Sequence, residues 1–377
     1  MSRPFLDFYG QNNIAPVRQD ISDLDLHLKR RAALYTLLHI PPNAVRGRRV
    51  LEVGPGSGDN AIYTASLNPA SYTLMDANPR SLADVEAKLA DRQFAISRLV
   101  EVEVIESDFL EYRGAEKFDL VICEGTIPGQ LEPEAFTCKL ASLVDEGGML
   151  VVTTSGATGI LSDVCRRLIK PILASQLSRD ELLPALCKFF DPHLSSLPGR
   201  SRLTEDWVWD NILHPWPDAL PFSASRAVKS VVGELTFFGS SPMVVQDFRW
   251  YKSIALGRAI NAVALEQIEK WAPFFIDYRI DENTRFTVDG SVLEDRCHDF
   301  YMLAQRAWET GNIEKVDECV SDVLGIAEVL WELPMTAKAI RDFASGARRM
   351  LKGEDADFGT FPPWFGRGMQ YLSFVRL

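Results

Sequence analysis

Between residues 48 and 154 the chain alternates short apolar runs with amphipathic stretches. RRVLEVG reads as a strand and NAIYTASLN as a short helix. SYTLMDA is a second strand, and PRSLADVEAKLADRQFAI is a longer helix with Asn78 as its cap. VEVEVIESD and KFDLVICEG are two further strands, EPEAFTCKLASLVD is a helix, and GGMLVVTTS is a fifth strand. Strands alternating with helices predict a doubly wound, mostly parallel α/β sheet. Unbroken apolar runs such as LVIC and MLVV suit strands covered on both faces.

The pattern differs on either side. FLDFYGQNNIAPVRQDIS has aromatics and turn residues without a regular period. The helix LDLHLKRRAALYTLLH follows it, with Asp20, Ser22 and Asp23 as candidate caps. Its apolar stripe runs through Leu24, Leu28, Ala32, Tyr35 and Leu38. That spacing leaves His27 and Lys29-Arg30-Arg31 beside or opposite the stripe, so the cluster reads as a solvated face; turned toward the site, it would instead suit an anionic substrate. Residues 160–231 are helical, irregular and rich in Pro and Trp. GELTFFGSSPMVVQDFRWYKS then reads as two strands around a turn, and residues 257–377 are mostly helical. The expected organisation is a lid and helix over 1–42, a nucleotide-binding core over 43–159 and a helical insertion or substrate cap over 160–231. The last two core strands are expected over 232–256 and a helical extension over 257–377, the latter a candidate homodimer surface.

Composition narrows the class. The 377 residues are 46% hydrophobic and carry a formal charge of −12. Such a field repels phosphate backbones, which disfavours nucleic acid as substrate. The six cysteines form no CxxC pair and lie at no zinc-finger spacing from a histidine, so they read as reduced structural thiols. No run approaches a membrane span and the N-terminus has no apolar signal core. The expected setting is the cytoplasm, with a small-molecule substrate and no metal.

The loop VGPGSGDN decides the cofactor. A dinucleotide fingerprint, G-x-G-x-x-G from Gly54 and Gly56, needs its third glycine at 59, where Asp59 stands. A P-loop needs Gly-Lys-Ser/Thr, which is missing. An acidic loop without lysine, flanked by Glu52 and Asp59, is a poor phosphate cradle. It suits a nucleoside bearing a cation and an amino group, which points to S-adenosylmethionine (SAM). Asp76 after the second strand is placed to accept ribose hydroxyls. Ser107, Asp108 and Phe109 after the third are placed for adenine. Glu124 and Gly125 after the fourth lie near the methionyl part.

LEVGPGSG, LMDANP, ESDFLEY, FDLVICEG and EGGMLVV, in this order and spacing, resemble the motif series of class I SAM-dependent methyltransferases over residues 48–154. The resemblance implies a seven-stranded sheet with a reversed last strand. It implies that Gly54, Gly56 and Gly58 line the cofactor, that Asp76 holds the ribose, and that Asp108 and Phe109 hold adenine. Glu52, Pro55, Ser57, Ala77, Asn78 and, from the lid, Tyr9 and Gln19 complete the expected cofactor contacts. The N-terminal segment and WVWDNILHPW resemble a bacterial branch associated with saccharide and natural-product genes.

In-line methyl transfer to an oxygen or nitrogen needs positioning, and a base only when the nucleophile is protonated. Glu124, His27 and His214 are the candidates. Trp207, Trp209 and Trp216 either pack the insertion or wall a substrate. Two alternatives stay open: attack at another sulfonium carbon, releasing methylthioadenosine, and a catalytically silent scaffold.

Overall fold

Seven strands pair into one sheet: β1 Arg49–Val53, β2 Ser71–Asp76, β3 Glu101–Glu106, β4 Phe118–Cys123, β5 Val144–Thr154, β6 Thr236–Ser241 and β7 Gln370–Val375. Their spatial order is β3-β2-β1-β4-β5-β7-β6. β3, β2, β1, β4 and β5 are mutually parallel, while β7 runs antiparallel to both β5 and β6. The computed structural model describes residues 4–12, 18–91, 94, 100–217, 220–246, 249–250, 252, 260–281, 283–285 and 287–377. The central strands carry the unbroken apolar runs. Leu120, Val121 and Cys123 of β4 and Leu150 and Val152 of β5 are fully buried, as two-sided cover requires.

The reversed strand is where the sequence suggests it least. Among the described residues of 232–256 the strand is β6, and its partner in the sheet is β7, from the far end of the chain. Pro242 follows β6 directly and cannot donate to a ladder, which ends β6 there. Residues 247–248, 251 and 253–256 of the expected strand lie outside the described residues.

Helices flank the strands in chain order: α1 Pro4–Asn12, α2 Leu24–Leu37, α3 Ala61–Ser66, α4 Pro79–Ala90 and α5 Pro133–Ser142. Asp23 is the cap that α2 uses, accepting from the Leu26 amide. After the fifth strand come α6 Ala157–Arg167, α7 Ile169–Ala174, α8 Arg179–Ser195, α9 Thr204–Val208 and α10 Ala224–Val231. The C-terminal part adds α11 Ile260–Trp271, α12 Gly290–Thr310, α13 Ile313–Val329 and α14 Pro334–Leu351.

Two compact units result. One comprises Met1–Thr154, Phe222–Ile268 and Gln370–Leu377; the other comprises Ser155–Pro221 and Glu269–Met369. The expected insertion and the expected C-terminal extension are therefore largely one body. They share a core in which Leu168, Phe190 and Trp207 cluster with Phe300, Phe343, Phe361 and Trp364. The bond between the two segments is also polar: Glu294 of α12 accepts from the Ala157 and Thr158 amides at 2.7 and 2.9 Å, which caps α6. Trp207 and Trp216 are buried in this core.

Candidate functional site

The carboxyl ends of β1 to β4 lie along one edge of the first unit, because these strands are parallel neighbours. After β1 the chain turns through Gly54, Gly56 and Gly58 at φ of +72°, +57° and +78°. A side chain at Gly54 would place its Cβ 2.0 Å from Thr126 Oγ1, and one at Gly58 would place it 2.9 Å from Val85 Cγ2 of α4. The first glycine thus lets the loop after β4 close in; the last lets α4 pack against the turn. Pro55 between them is buried, and its carbonyl accepts from the Gly58 amide at 3.0 Å.

At the end of β2, Asp76 Oδ1 accepts from the Asn78 amide at 2.9 Å. Burial pushes the Asp76 carboxyl up to about 6, against the pull of the Asn78, Gly56 and Ala77 amides. Asn78 caps α4 through its Oδ1, which accepts from the Arg80 amide at 3.0 Å. Its Nδ2 is buried and has no acceptor among the described residues. A buried donor left in this state is costly, so this one marks a place where a ligand acceptor belongs.

At the end of β3, Ser107 donates its amide to the Asp76 carbonyl at 3.0 Å. Asp108 accepts from the Leu110 amide at 2.8 Å. The Phe109 ring is buried against Phe136 of α5, centroids 4.8 Å apart, with Lys139 Nζ 4.9 Å above it.

The end of β4 carries the densest polar network. Arg31 of α2 grips Glu124 with two N–H groups, at 2.9 and 2.6 Å, and the side chains are 7% and 8% exposed. Burial works against the guanidinium charge, but Glu124 overrides it and holds Arg31 protonated above its ordinary range. Asn60 adds a third donor to Glu124 at 3.1 Å and itself accepts from Gln19 Nε2 at 3.1 Å. Gln19 also gives its amide to Asp59 at 2.9 Å, Ser57 gives its hydroxyl at 2.7 Å, and Lys88 of α4 completes the set as an ion pair. The loop has no lysine of its own, and α4 brings one to it. His27 Nε2 lies 2.9 Å from the Asp59 carbonyl, and burial lowers the imidazole below its usual range. Gly125, at φ +79°, donates to Thr153 Oγ1 at 2.6 Å.

Glu52 of β1 is buried beneath this network and accepts from the Tyr72 hydroxyl. Burial, then the Glu124 charge, push its carboxyl up to about 7. Two carboxylates and one guanidinium therefore share a dry volume, and the second carboxylate ionises only near neutrality.

The structure brings Gln19, Glu52, Gly54, Pro55, Gly56, Ser57, Gly58, Asp76, Ala77, Asn78, Ser107, Asp108, Phe109, Glu124 and Gly125 to this edge, with His27 joined to it through the Asp59 carbonyl. Tyr9 lies in α1 with its ring edge-on to Phe8 at 5.8 Å. His214 belongs to the second unit, where burial lowers its imidazole to about 4. Arg31, Asn60, Tyr72 and Lys88 are parts of the site that sequence reasoning missed. The expected solvated face splits: Lys29 and Arg30 are exposed, whereas Arg31 is buried. The signal was the i, i+4 series His27, Arg31, Tyr35, which forms the true buried stripe of α2.

Residues 51–150 match the model of a family described as "Methyltransferase domain". This segment is a class I, SAM-dependent methyltransferase domain, and its cofactor is S-adenosylmethionine. No curated protein matches the chain. Among solved structures the chain is similar to N-methyltransferase NodS from Bradyrhizobium japonicum, at 13% identity and TM-score 0.37 over 65% of this chain and 93% of that one. It is similar to magnesium protoporphyrin IX methyltransferase from Synechocystis, at 15% and 0.34 over 57% and 75%. It is also similar to the [4+2]-cyclase SpnF, at 20% and 0.28 over 33% and 44%. At these scores the likenesses carry no information about the acceptor. No helix among the described residues is long and apolar enough to cross a membrane, and none of their His, Cys, Asp and Glu side chains gather to hold a metal ion.

Proposed function

We propose that the chain transfers the SAM methyl group to an oxygen or nitrogen of a small molecule. The observation that carries this reading is the end of β2: a buried carboxylate, Asp76, beside the unsatisfied Asn78 Nδ2, over a turn of left-handed glycines. A carboxylate acceptor and an amide donor side by side fit a ribose, whose hydroxyls both donate and accept. Bound SAM supplies a methyl group on a sulfonium with a neutral thioether as leaving group. The chain's own residues position the nucleophile and exclude water.

Glu124 is the weakest of the three base candidates in this geometry. Its two oxygens already accept three hydrogen bonds from Arg31 and Asn60. The pair instead sets the field beside the turn. His27 retains a proton-accepting role only through Nδ1, if its Nε2 donates to the Asp59 carbonyl.

Calorimetry with SAM and S-adenosylhomocysteine tests the reading. Asp76→Ala is expected to weaken both by about a hundredfold, the size of lost charge-assisted hydrogen bonds. Ionised Asp76 is the accepting form, so wild-type affinity is expected to fall as pH drops through about 6. Wild-type protein that binds neither compound would end the proposal. A second reading keeps the cofactor and attacks another sulfonium carbon; product mass separates them, S-adenosylhomocysteine for methyl transfer and methylthioadenosine for the alternative. A silent scaffold would bind cofactor and release neither product.

A further inference from the structure

In the second unit, α13 and α14 form a hairpin: α13 ends at Val329 and α14 begins at Pro334. Their exposed faces carry opposite charge. α13 holds five acids and one lysine, and the exposed Glu314, Asp317, Glu318, Asp322 and Glu328 recur along one side of it. α14 holds four cations and one acid, and Met335, Lys338, Arg341 and Arg349 are exposed along one side of it. Arg348 of α14 donates to Ser321 Oγ of α13 at 3.0 Å, which sets the two faces side by side.

The chain itself leaves most of this charge unmatched. Glu314, Asp317, Glu318, Asp322 and Arg341 make no ion pair among the described residues. Lys338 pairs with Asp342 at 2.6 Å, one turn along the same helix, and Arg349 meets Glu354 at 3.6 Å with both side chains half exposed. At the tip of the hairpin Trp331 and Met335 are 69% and 58% exposed, an apolar end to a charged surface. Asp322 and Arg341 each stand seven residues from the turn-side end of their helix, and Glu314 and Arg349 each stand fifteen. At 1.5 Å per residue each pair is level, at about 10 and about 22 Å from the turn.

We propose that this face of the hairpin binds a second copy of the chain. A two-fold axis running along the hairpin lays α13 of each copy on α14 of the other. That operator sets Asp322 against Arg341 and Glu314 against Arg349, twice each, and brings the two Trp331 tips together. An axis across the hairpin would lay acid on acid and cation on cation, which is costly. Two helices, each about 25 Å long and roughly 10 Å wide, offer on the order of 500 Å² per copy, the size of a weak, reversible interface. The overall charge of −12 repels a second copy, but in 0.1 M salt that field fades beyond about 10 Å, whereas the facing side chains are in contact. The interface lies within the second unit and is independent of the reading given to the strand ends of the first.

Sedimentation equilibrium of the full chain tests this, in 0.1 M salt from about 1 to about 200 μM. A monomer–dimer equilibrium with a micromolar midpoint is expected, shifted toward monomer in about 1 M salt. Arg341→Glu and Asp322→Arg each create two like-charge contacts by symmetry, and each is expected to weaken association roughly tenfold or more. Mixed in equal amounts, the two variants are expected to pair with one another at nearly wild-type strength, because each supplies the charge the other lacks. Should either fail to fold, Arg349→Glu and Glu314→Arg serve as the second matched pair. A wild-type chain that stays monomeric at the highest concentration overturns the proposal. So does a dimer that the charge reversals leave unchanged, or a mixture of folded variants that pairs no better than its components.

Discussion

Each unit buries an arginine, and the two are satisfied in opposite ways. Arg31, in the sheet unit, faces a carboxylate that itself presses on another, Glu52. Arg166, in the helical unit, is fully buried and gives its N–H groups to the carbonyls of Ser162, Pro362 and Trp364 at 3.1, 3.1 and 2.7 Å. Its guanidinium lies 3.6 Å from the Phe365 centroid, and its nearest carboxylate, Asp163, is 3.7 Å away. Burial lowers Arg166 to about 10, so it stays charged throughout the physiological range. Main-chain carbonyls and rings make Arg166 a fixed brace between distant segments. A carboxylate pair makes Arg31 part of a balance that an incoming charged ligand can tip.

That contrast can be broken at three points. Arg166→Met takes the side-chain donors from three carbonyls, and a loss of about 5 kcal/mol of stability is expected in urea unfolding. A loss below about 1 kcal/mol would mean that the brace is ornamental. Arg31→Met leaves Glu124 buried without its cation and should cost about 4 kcal/mol. Adding Glu124→Gln should recover much of this in a double-mutant cycle; additive effects would show that the pair is not coupled.

The smallest effect is one of pH. Folding raises the Glu52 carboxyl from its ordinary 4.5 to about 7. Between those values the folded chain holds a proton that the unfolded chain has released, so this group's contribution to stability falls as pH rises through that window. The full loss is about 3 kcal/mol. Glu52→Gln should flatten the profile and be the more stable protein above about pH 7. Parallel wild-type and variant curves would assign the titration elsewhere.

The cofactor edge was legible because its parts are local. Strand, left-handed glycines and a strand-end acid lie within a few residues of one another, and Gly54, Gly58 and Asp76 stand where that logic puts them. Arg31 was hidden by its neighbours. Lys29 and Arg30 make the run look solvated, and the partner that buries Arg31 lies 93 residues on, at Glu124. Phe109 reads as a stacking platform, but its neighbour Phe136, on α5, is named by nothing local to it. β7 was missed for the same reason. A strand that completes an antiparallel pair carries no mark of which segment it will join, and Gln370–Val375 is apolar only in part. The helical unit was the least legible, since nothing local to Leu168 or Phe190 names Phe343 and Phe361 as their neighbours.

β7 lies between β5 and β6, yet it is made after every segment of the helical unit. During synthesis, β5 and β6 therefore wait with open edges for a partner that emerges on the order of ten seconds after β6. The helical unit's core takes nothing from β7, but its last members, Phe361, Trp364 and Phe365, come only a few residues before that strand. The same short stretch of chain thus closes both bodies, and the nascent sheet, its edges open throughout, is the part most in need of shelter until its last strand arrives.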